Sequence, residues 1–507
     1  MTRMSLRTLL AGITPSAPDV MINGLSLDNR QIRPGMAFVA LRGTRQHGMA
    51  YAEAAVQAGA SAILYEPEDG LQQPPLSAEF VQVPLLRGHL GILADRFNSS
   101  PSADLFMVGV TGTDGKTSVS HFIAEALNAT SRNAAVIGTL GIGEPGRLQV
   151  ATHTTPDALT VHSLLRDLRD DGFHSVAMEV SSHALDQGRV KGVRFAVAVL
   201  TNLTRDHLDY HGTVEAYAEA KRKLFYWPDL QAAVLNLDDA FGRKLAAELD
   251  GRPLQVIGYG VGVPSDYPVG TLVATNPVFD HAGISASVVV GGQQGMLQAP
   301  VLGKFNLHNL LAALGVLLAK GMAFDEALQS LQQVWVVPGR MERVTSTPPA
   351  STPLSDQAGD DGRLVVVDYA HTPGALEQVL QAVRVHTRGR LICVFGCGGD
   401  RDRGKRPLMA EKAESAADVV IVTDDNPRSE DPQQIFEDIM QGITNKADVT
   451  FEHDRATAIR LAISQARAGD TVLIAGKGHE TVQILANGTV PFDDRIQAAQ
   501  ALQECAA

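Results

Sequence analysis

LFMVGVTGTDGKTSVSHFIAEALNA, residues 105–129, is the stretch on which the architecture turns. The apolar run 105–111 predicts a buried strand, and 118–129 repeats apolar residues at helical spacing. Between them lies Gly109-Val-Thr-Gly-Thr-Asp-Gly-Lys-Thr-Ser118. Glycines let a backbone turn tightly enough for its amides to face phosphate oxygens, and the helix N-terminus that follows adds a favourable field. Gly112, Thr113, Asp114, Gly115, Lys116, Thr117 and Ser118 are therefore candidate nucleotide contacts. In such a loop the lysine reaches the β- and γ-phosphates and the hydroxyl after it ligates Mg²⁺. The general pattern G-x-x-x-x-G-K-[ST] would put its first glycine at 110, where Val110 stands. The competing reading is a glycine-rich turn with an exposed lysine; the strand before and the helix after weigh against it.

Further apolar runs follow at 134–139, 175–180, 197–202 and 232–236, with a second helical pattern at 159–170. Strands alternating with helices predict a parallel sheet. Residues 253–300 turn Gly- and Val-rich with shorter runs, an expected antiparallel addition, and 307–320 reads as a buried helix. Before the phosphate loop, runs at 37–41 and 62–65 flank a helical pattern at 51–58, and NSSPS at 98–102 reads as a linker. After residue 338 the buried-strand pattern resumes at 364–368, 391–395, 419–423 and 471–475, with helices at 375–386 and 432–442. The low-complexity stretch 346–362 reads as a surface loop. The expected fold class is α/β in three domains: a small N-terminal α/β domain (1–103), a central P-loop parallel-sheet ATPase domain with an antiparallel addition (104–338), and a C-terminal Rossmann-like α/β domain (339–507).

Composition narrows the function classes. A chain of 507 residues with 45% hydrophobic side chains can bury several cores. A net charge of −13 argues against broad nucleic-acid binding, which needs a basic face. Three cysteines are too few for a disulfide framework, and Cys393 and Cys397 read as packed thiols in a reducing compartment, with zinc as the alternative. The N-terminal apolar run is too short for a secretory signal, and no stretch approaches the ~18 apolar residues of a membrane span, so a cytoplasmic protein with no membrane span is expected.

Two polar clusters follow apolar strands, at the edge where open α/β sheets bind ligands. One is Glu179-Val-Ser-Ser-His-Ala-Leu-Asp-Gln-Gly-Arg189; the other is Thr201-Asn-Leu-Thr-Arg-Asp-His-Leu-Asp-Tyr-His211, followed by Tyr217-Ala-Glu-Ala-Lys221. A carboxylate beside a phosphate loop suits Mg²⁺. Alone, Glu179 and His183 read equally well as loop residues, and Lys221 as a solvated helix lysine.

TGTDGKTS, MEVSSHALDQGRV, TNLTRDHLDYH and YAEAK together resemble, in order and spacing, the central domain of the Mur ligases. The resemblance implies that Lys116, His207 and Lys221 are the catalytic group, and that Thr117, Glu179, His207 and Lys221, the last as a carbamate, hold Mg²⁺. It places Asn306, Asn309 and Arg340 at ATP; helix capping is the other reading of the two asparagines. Ser26-Leu-Asp-Asn-Arg30 and Gly43-Thr-Arg-Gln-His-Gly48 resemble the family's uridine-diphosphate segments, implying contacts from Leu27, Asn29, Thr44, Arg45 and Gln46. Asn29 stands where the family usually has serine; both side chains form hydrogen bonds. His153, Thr154, Thr155, Ser181, Gln187 and Arg189 correspond to contacts with a muramoyl dipeptide.

The C-terminal domain carries Asp368-Tyr-Ala-His-Thr-Pro373, Phe395-Gly-Cys-Gly-Gly-Asp-Arg401, Asp425-Asn-Pro-Arg428 and Gly476-Lys-Gly-His-Glu480. The D-N-P-R tetrad resembles that of the family members that add diaminopimelate. It implies an amino-acid site of Arg401, Asp425, Asn426, Pro427, Arg428, Gly476 and Glu480. An arginine fork pairs a carboxylate in a bidentate way that lysine cannot; the bland reading of Arg428 is a turn residue facing solvent. The implied reaction joins meso-diaminopimelate to the D-glutamate γ-carboxylate of a UDP-linked muramoyl dipeptide, through an acyl phosphate made from ATP, in peptidoglycan precursor synthesis. A monomer working on small molecules is expected. The rivals are a lysine-adding Mur ligase, a ligase like folylpolyglutamate synthase, and a P-loop ATPase that drives a partner.

Overall fold

A computed structural model describes residues 3–43, 46–68, 70–151, 153–335, 339, 341–346, 362–445 and 449–506. Thr44, Arg45, Arg340 and nearly all of the loop expected at 346–362 lie outside the described residues. The chain divides into two compact units, Met1–Gly258 and Tyr259–Ala507.

Among the described residues the first unit holds a short antiparallel pair, Met4–Ser5 with Met21–Ile22, and two larger sheets. Near the N-terminus, Leu25–Ser26, Ala37–Ala40, Ala62–Tyr65 and Glu79–Gln82 pair in that order, all parallel. Two apolar clusters cover its faces, one built on Leu6, Val39, Leu64 and Leu93 and the other on Phe38, Ile63 and Ala55. The NSSPS stretch is a packed turn: Asn98 and Ser102 are buried, Asn98 Nδ2 donates to the Ala94 carbonyl, and Ser102 Oγ accepts from the Arg194 amide.

The larger sheet runs Ala232–Asn236, Val197–Leu200, Phe106–Thr111, Ser175–Glu179, Ala134–Gly138 and Gly141–Gly143. The first five are parallel and the last is antiparallel. Apart from half-buried Phe106, the five parallel strands are buried along their lengths and so read as unbroken apolar runs. Phe106–Thr111 comes first in the chain yet lies centrally, with later strands on both sides. Its C-terminal end is therefore where the connections diverge, the usual ligand crevice of such sheets.

In the second unit, Leu272–Asp280, Gly283–Val290 and Gln293–Ala299 form an antiparallel meander, as expected, and the helix Lys304–Ala319 is buried on most of its faces. The expectation of a wholly antiparallel addition is corrected at its first pairing, since Tyr259–Val261 runs parallel to Leu272–Ala274. The Rossmann-like sheet follows the order Glu342–Arg343, Leu364–Asp368, Thr471–Ala475, Leu391–Phe395, Val419–Val422, Val449–Phe451, parallel except at the first edge. All four C-terminal motifs leave the C-terminal ends of its strands. Cys393 and Cys397 are packed within this unit, and burial pushes both thiols up to about 12, so they are neutral. Among the described residues no helix is long and apolar enough to cross a membrane.

Arg455 and Asp494 form a fully buried bidentate pair, 2.7 and 2.8 Å, that ties the helix Arg455–Gln465 to the helix Asp494–Ala506. Removing one member of such a pair strands the other charge in the core. Asp494→Ala is expected to lower stability by ~3–5 kcal/mol, read as a lower urea midpoint; an unchanged midpoint would remove the pair from the stabilising set.

Candidate active site

The phosphate loop is held open by its neighbours. Gly112 has φ +151°, and a Cβ there would lie 1.8 Å from Thr201 Oγ1, so no side chain fits. Gly115, φ +81°, starts the helix Lys116–Asn128. Asn202 accepts from the Thr113 amide through its carbonyl (3.0 Å) and from the Asp114 amide through Oδ1 (2.9 Å). Thr204 N–H donates to Thr113 Oγ1, which also contacts the Tyr217 hydroxyl at 3.2 Å. Lys116 Nζ donates to the Gly112 and Thr113 carbonyls at 2.9 and 2.7 Å. The lysine thus lies folded over the loop it would share with a phosphate.

Lys221 is not a solvated helix lysine. It sits in the helix Val214–Arg222, capped by Thr213, and is 1% exposed. Its Nζ donates to the same Gly112 carbonyl at 2.7 Å and stands 4.4 Å above the Tyr217 ring. Burial, aided by the Lys116 ammonium, pulls its pKa down to about 6, so the amine is largely neutral at pH 7.

Glu179 ends its strand beside Val110 of the phosphate-loop strand and is 1% exposed. Its Oε1 accepts from the Thr139 amide at 2.8 Å and its Oε2 from the Thr139 hydroxyl at 3.2 Å. A Cβ at Gly138 would lie 2.1 Å from Oε1, so glycine makes the recess for this carboxylate. His207 has φ +51° and takes part in a ring cluster with His183 (centroids 4.9 Å apart) and Tyr217 (6.0 Å). Burial, then the neighbouring His207, lowers the His183 pKa. No group of three or more His, Cys, Asp or Glu poised for a metal occurs among the described residues. The donors gathered near the loop are instead a carboxylate, a hydroxyl, an imidazole and a lysine. With the lysine carbamylated this becomes a mostly oxygen set, which fits Mg²⁺.

The dipeptide candidates on this unit are largely brought together. Thr155 Oγ1 donates to the Glu179 carbonyl (2.9 Å) and accepts from the Ser181 amide (3.1 Å). Ser181 caps the helix Ser182–Asp186. Arg189 donates to Gln187 Oε1 and, through Nη1, to the Thr155 carbonyl. Thr154 meets Thr139 hydroxyl to hydroxyl at 3.0 Å, and His153 is exposed nearby in sequence. Leu27 and Asn29 follow the strand Leu25–Ser26 in the N-terminal sheet, and Gln46 bonds Tyr51. Among the described residues no hydrogen bond of Leu27, Asn29 or Gln46 reaches Thr155, Ser181, Gln187 or Arg189.

In the second unit Asn306 and Asn309 are buried but are not the helix cap: Gly303 is the cap of the helix starting at Lys304, Asn306 Nδ2 donates to the Leu302 carbonyl, and Asn309 Nδ2 donates to Asn306 Oδ1. Among the amino-acid candidates, Arg428 is half-buried with φ +53°, and its Nη1 donates to the Gly399 carbonyl at 2.9 Å. Gly398 lies between Arg428 and Arg401; a Cβ there would be 2.8 Å from Arg428 Nη1 and 3.8 Å from Arg401 Cγ. Arg401 itself is exposed. Asn426 acts as a strut: Oδ1 accepts from the Ile484 amide and from Lys477, and Nδ2 donates to Glu480 Oε2. Lys477, fully buried, also reaches Glu480 at 3.0 Å and lies 3.8 Å from Asp425. Burial pushes the Asp425 carboxyl up, although Arg455 and Lys477 pull against it. Gly476, φ +125°, leaves room for that carboxyl. Asn202, Tyr217 and Lys477 were missed as site residues. Only the position of Asn202 just past a strand end signalled it.

Three family descriptions match in chain order: "Mur ligase family, catalytic domain" over residues 21–98, "Mur ligase middle domain" over 110–317, and "Mur ligase, glutamate ligase domain" over 339–478. A relative from Ectopseudomonas mendocina is 49% identical over 483 residues, 95% of each chain, and bears the name UDP-N-acetylmuramoyl-L-alanyl-D-glutamate–2,6-diaminopimelate ligase. One of the same name from Pseudomonas aeruginosa is 48% identical over 484 residues, 96% of each chain. A solved structure of a ligase of that name superposes with TM-score 0.78 at 38% identity, over 99% of both chains.

Proposed function

The chain belongs to the Mur ligase family, and from that premise we propose that it joins meso-diaminopimelate to the D-glutamate γ-carboxylate of UDP-N-acetylmuramoyl-L-alanyl-D-glutamate, using ATP. The observation that carries the amino-acid choice is the setting of Arg428, whose guanidinium is aimed across Gly398 by a left-handed backbone, on the loop that also carries the Asn426–Glu480 strut. A planar fork and a carboxylate suit an amino acid with both a carboxylate and an ammonium at its far end. The relatives named above are named for the same substrates. The reaction belongs to peptidoglycan precursor synthesis in the cytoplasm. The domain limits 1–103, 104–338 and 339–507 belong to this reading.

The chemistry runs in two steps. A γ-carboxylate oxygen attacks the γ-phosphorus of ATP, the bond to ADP breaks, and an acyl phosphate forms. The neutral amine of diaminopimelate then attacks the acyl carbon, the nitrogen gives up a proton, and phosphate leaves as the amide forms. Lys116 and the loop amides hold charge on the transferring phosphoryl group in fixed positions, which is where such catalysis gains most. Mg²⁺, held by Thr117, Glu179, His207 and the Lys221 carbamate, would neutralise phosphate charge. Thr155, Ser181, Gln187 and Arg189 orient the dipeptide, with His153 and Thr154 beside them. Leu27, Asn29, Thr44, Arg45 and Gln46 are assigned to the uridine diphosphate, and Asn306, Asn309 and Arg340 to the nucleotide. Arg401, Asp425, Pro427 and Gly476 complete the amino-acid site.

The test is ADP release with the UDP-muramoyl dipeptide and, in turn, meso-diaminopimelate, L-lysine and L-glutamate. Release with diaminopimelate alone is expected; preference for lysine would overturn the assignment, and release without either co-substrate would favour a partner-driven ATPase. Arg428→Ala is expected to raise the KM for diaminopimelate with little effect on ATP. Truncating one partner of a buried charged pair costs ~2–5 kcal/mol, or about 30- to several-thousand-fold in kcat/KM. Because Arg428 is half-buried, the lower end of that range is expected. Lysine should remain a poor substrate, since removing the fork creates no acidic partner for its ammonium. An unchanged diaminopimelate KM would remove Arg428 from the carboxylate.

A further inference from the structure

Both arginines of the amino-acid site sit on loops with little regular structure, one after the strand Leu391–Phe395 and one after Val419–Val422. Asp400 and Arg428 both hold left-handed backbone, φ +54° and +53°, which side-chain-bearing residues seldom adopt unless something holds them there. What holds them is a clasp between the loops. Glu430 Oε1 accepts from the Asp400 amide at 2.6 Å. Both Glu430 oxygens accept from Arg406 Nη2 at 3.0 Å. Arg406 is 0% exposed; its Nη1 reaches Asp438 at 2.8 Å and its Nη2 the Gly398 carbonyl at 3.3 Å. Asp400 in turn takes the Ser429 hydroxyl at 2.7 Å and the Ser429 amide at 3.2 Å. Gly399 N–H donates to the Asn426 carbonyl, and the Gly399 carbonyl receives Arg428. Burial pushes the Glu430 carboxyl up, but the Asp400 amide and the Arg406 guanidinium more than offset this and leave its pKa below the ordinary value. It is therefore an anion at neutral pH.

We propose that Glu430, anchored by buried Arg406, is a positioning residue for amino-acid selectivity: it clasps the two loops so that Arg401 and Arg428 face one substrate at a fixed separation. Glu430 bonds neither arginine. It acts through the Asp400 amide on one side and, two residues from Arg428, through the chain on the other. The clasp also explains the glycine at 399. A Cβ at 399 would lie 1.9 Å from the Pro427 carbonyl, so the loops could not close on any other residue there. The inference rests on the amino-acid site assigned above.

The test compares Glu430→Gln, Glu430→Ala and Asp400→Ala by steady-state kinetics in all three substrates, with unfolding midpoints alongside. The amino acid used is whichever of diaminopimelate, lysine and glutamate the wild-type enzyme turns over, so a wrong substrate assignment is seen in the wild type and leaves this comparison readable. Losing a hydrogen-bonded charge should raise the amino-acid KM about tenfold or more in Glu430→Ala, with KM for ATP and dipeptide near wild type. Glu430→Gln keeps an acceptor for the Asp400 amide and should recover part of the loss. Asp400 is exposed, so Asp400→Ala should fold even where Glu430→Ala does not, and should show a smaller shift of about three- to tenfold in the same direction. An unchanged amino-acid KM in the folded variants, or equal losses for all three substrates, would overturn the proposal.

Discussion

Lys116→Ala is expected to abolish ligation and leave the fold standing. In the present structure the Lys116 ammonium lies on the Gly112 and Thr113 carbonyls, at the start of the helix Lys116–Asn128. The γ-phosphate moves between two anionic oxygens, so the transition state gains most from a fixed positive charge that needs no reorganisation. Removing one such group costs about 10²–10³-fold in kcat or more. The fold should survive because the loop's shape does not depend on this side chain. Asn202 fixes the Thr113 and Asp114 amides, Thr201 takes the Asp114 carbonyl, and the Gly112 carbonyl keeps its bond from Lys221. The check is ADP release by the variant together with its thermal midpoint. A variant that melts like wild type and retains near-full activity would sink the phosphate-loop assignment.

The parallel strands were legible because burial on both faces forces continuous apolar runs. Predicted runs at 232–236, 364–368, 391–395 and 471–475 coincide with strands at both ends. Partners were less legible than strands. Residues 255–261 have the same Gly- and Val-rich composition as the meander after them, yet their last three pair parallel with Leu272–Ala274. Composition carries no information on strand direction. Val449–Phe451 escaped notice because three residues, the middle one exposed and its neighbours half-buried, leave too short a pattern. Its neighbour in the sheet, Val419–Val422, is buried and was plain.

At the site, motif order placed the polar clusters correctly at strand ends, but not which atoms face a ligand. Asn426 belongs to the most telling tetrad, and its amide is committed to Ile484, Lys477 and Glu480. It shapes the site from behind. Lys477 and Arg406 were invisible for the opposite reason. Lysine and arginine are expected at the surface, and only the fold shows that these two are fully buried among acids. The same expectation had made Lys221 look ordinary.

Lys221→Ala is expected to be almost inactive, and added acetate or formate to restore part of the activity. The side chain is enclosed by the Gly112 carbonyl and the Tyr217 ring, with its amine largely neutral above about pH 6. Only a neutral amine attacks CO₂; in the proposed carbamate the N–C bond forms, the nitrogen loses a proton, and one negative charge shared by two oxygens replaces the amine. That puts a negative charge beside the phosphate loop, where a neutral amine next to Lys116 becomes an oxygen ligand for a divalent ion. Alanine removes the ligand and leaves a space next to Tyr217 that a small carboxylate can enter to supply similar oxygens. A purely structural lysine predicts something else: loss of activity in step with loss of stability, and no response to added acids. Acid-dependent recovery in a folded variant therefore separates the two. Normal activity of Lys221→Ala without additive would return the residue to a packing role and remove the carbamate from the mechanism.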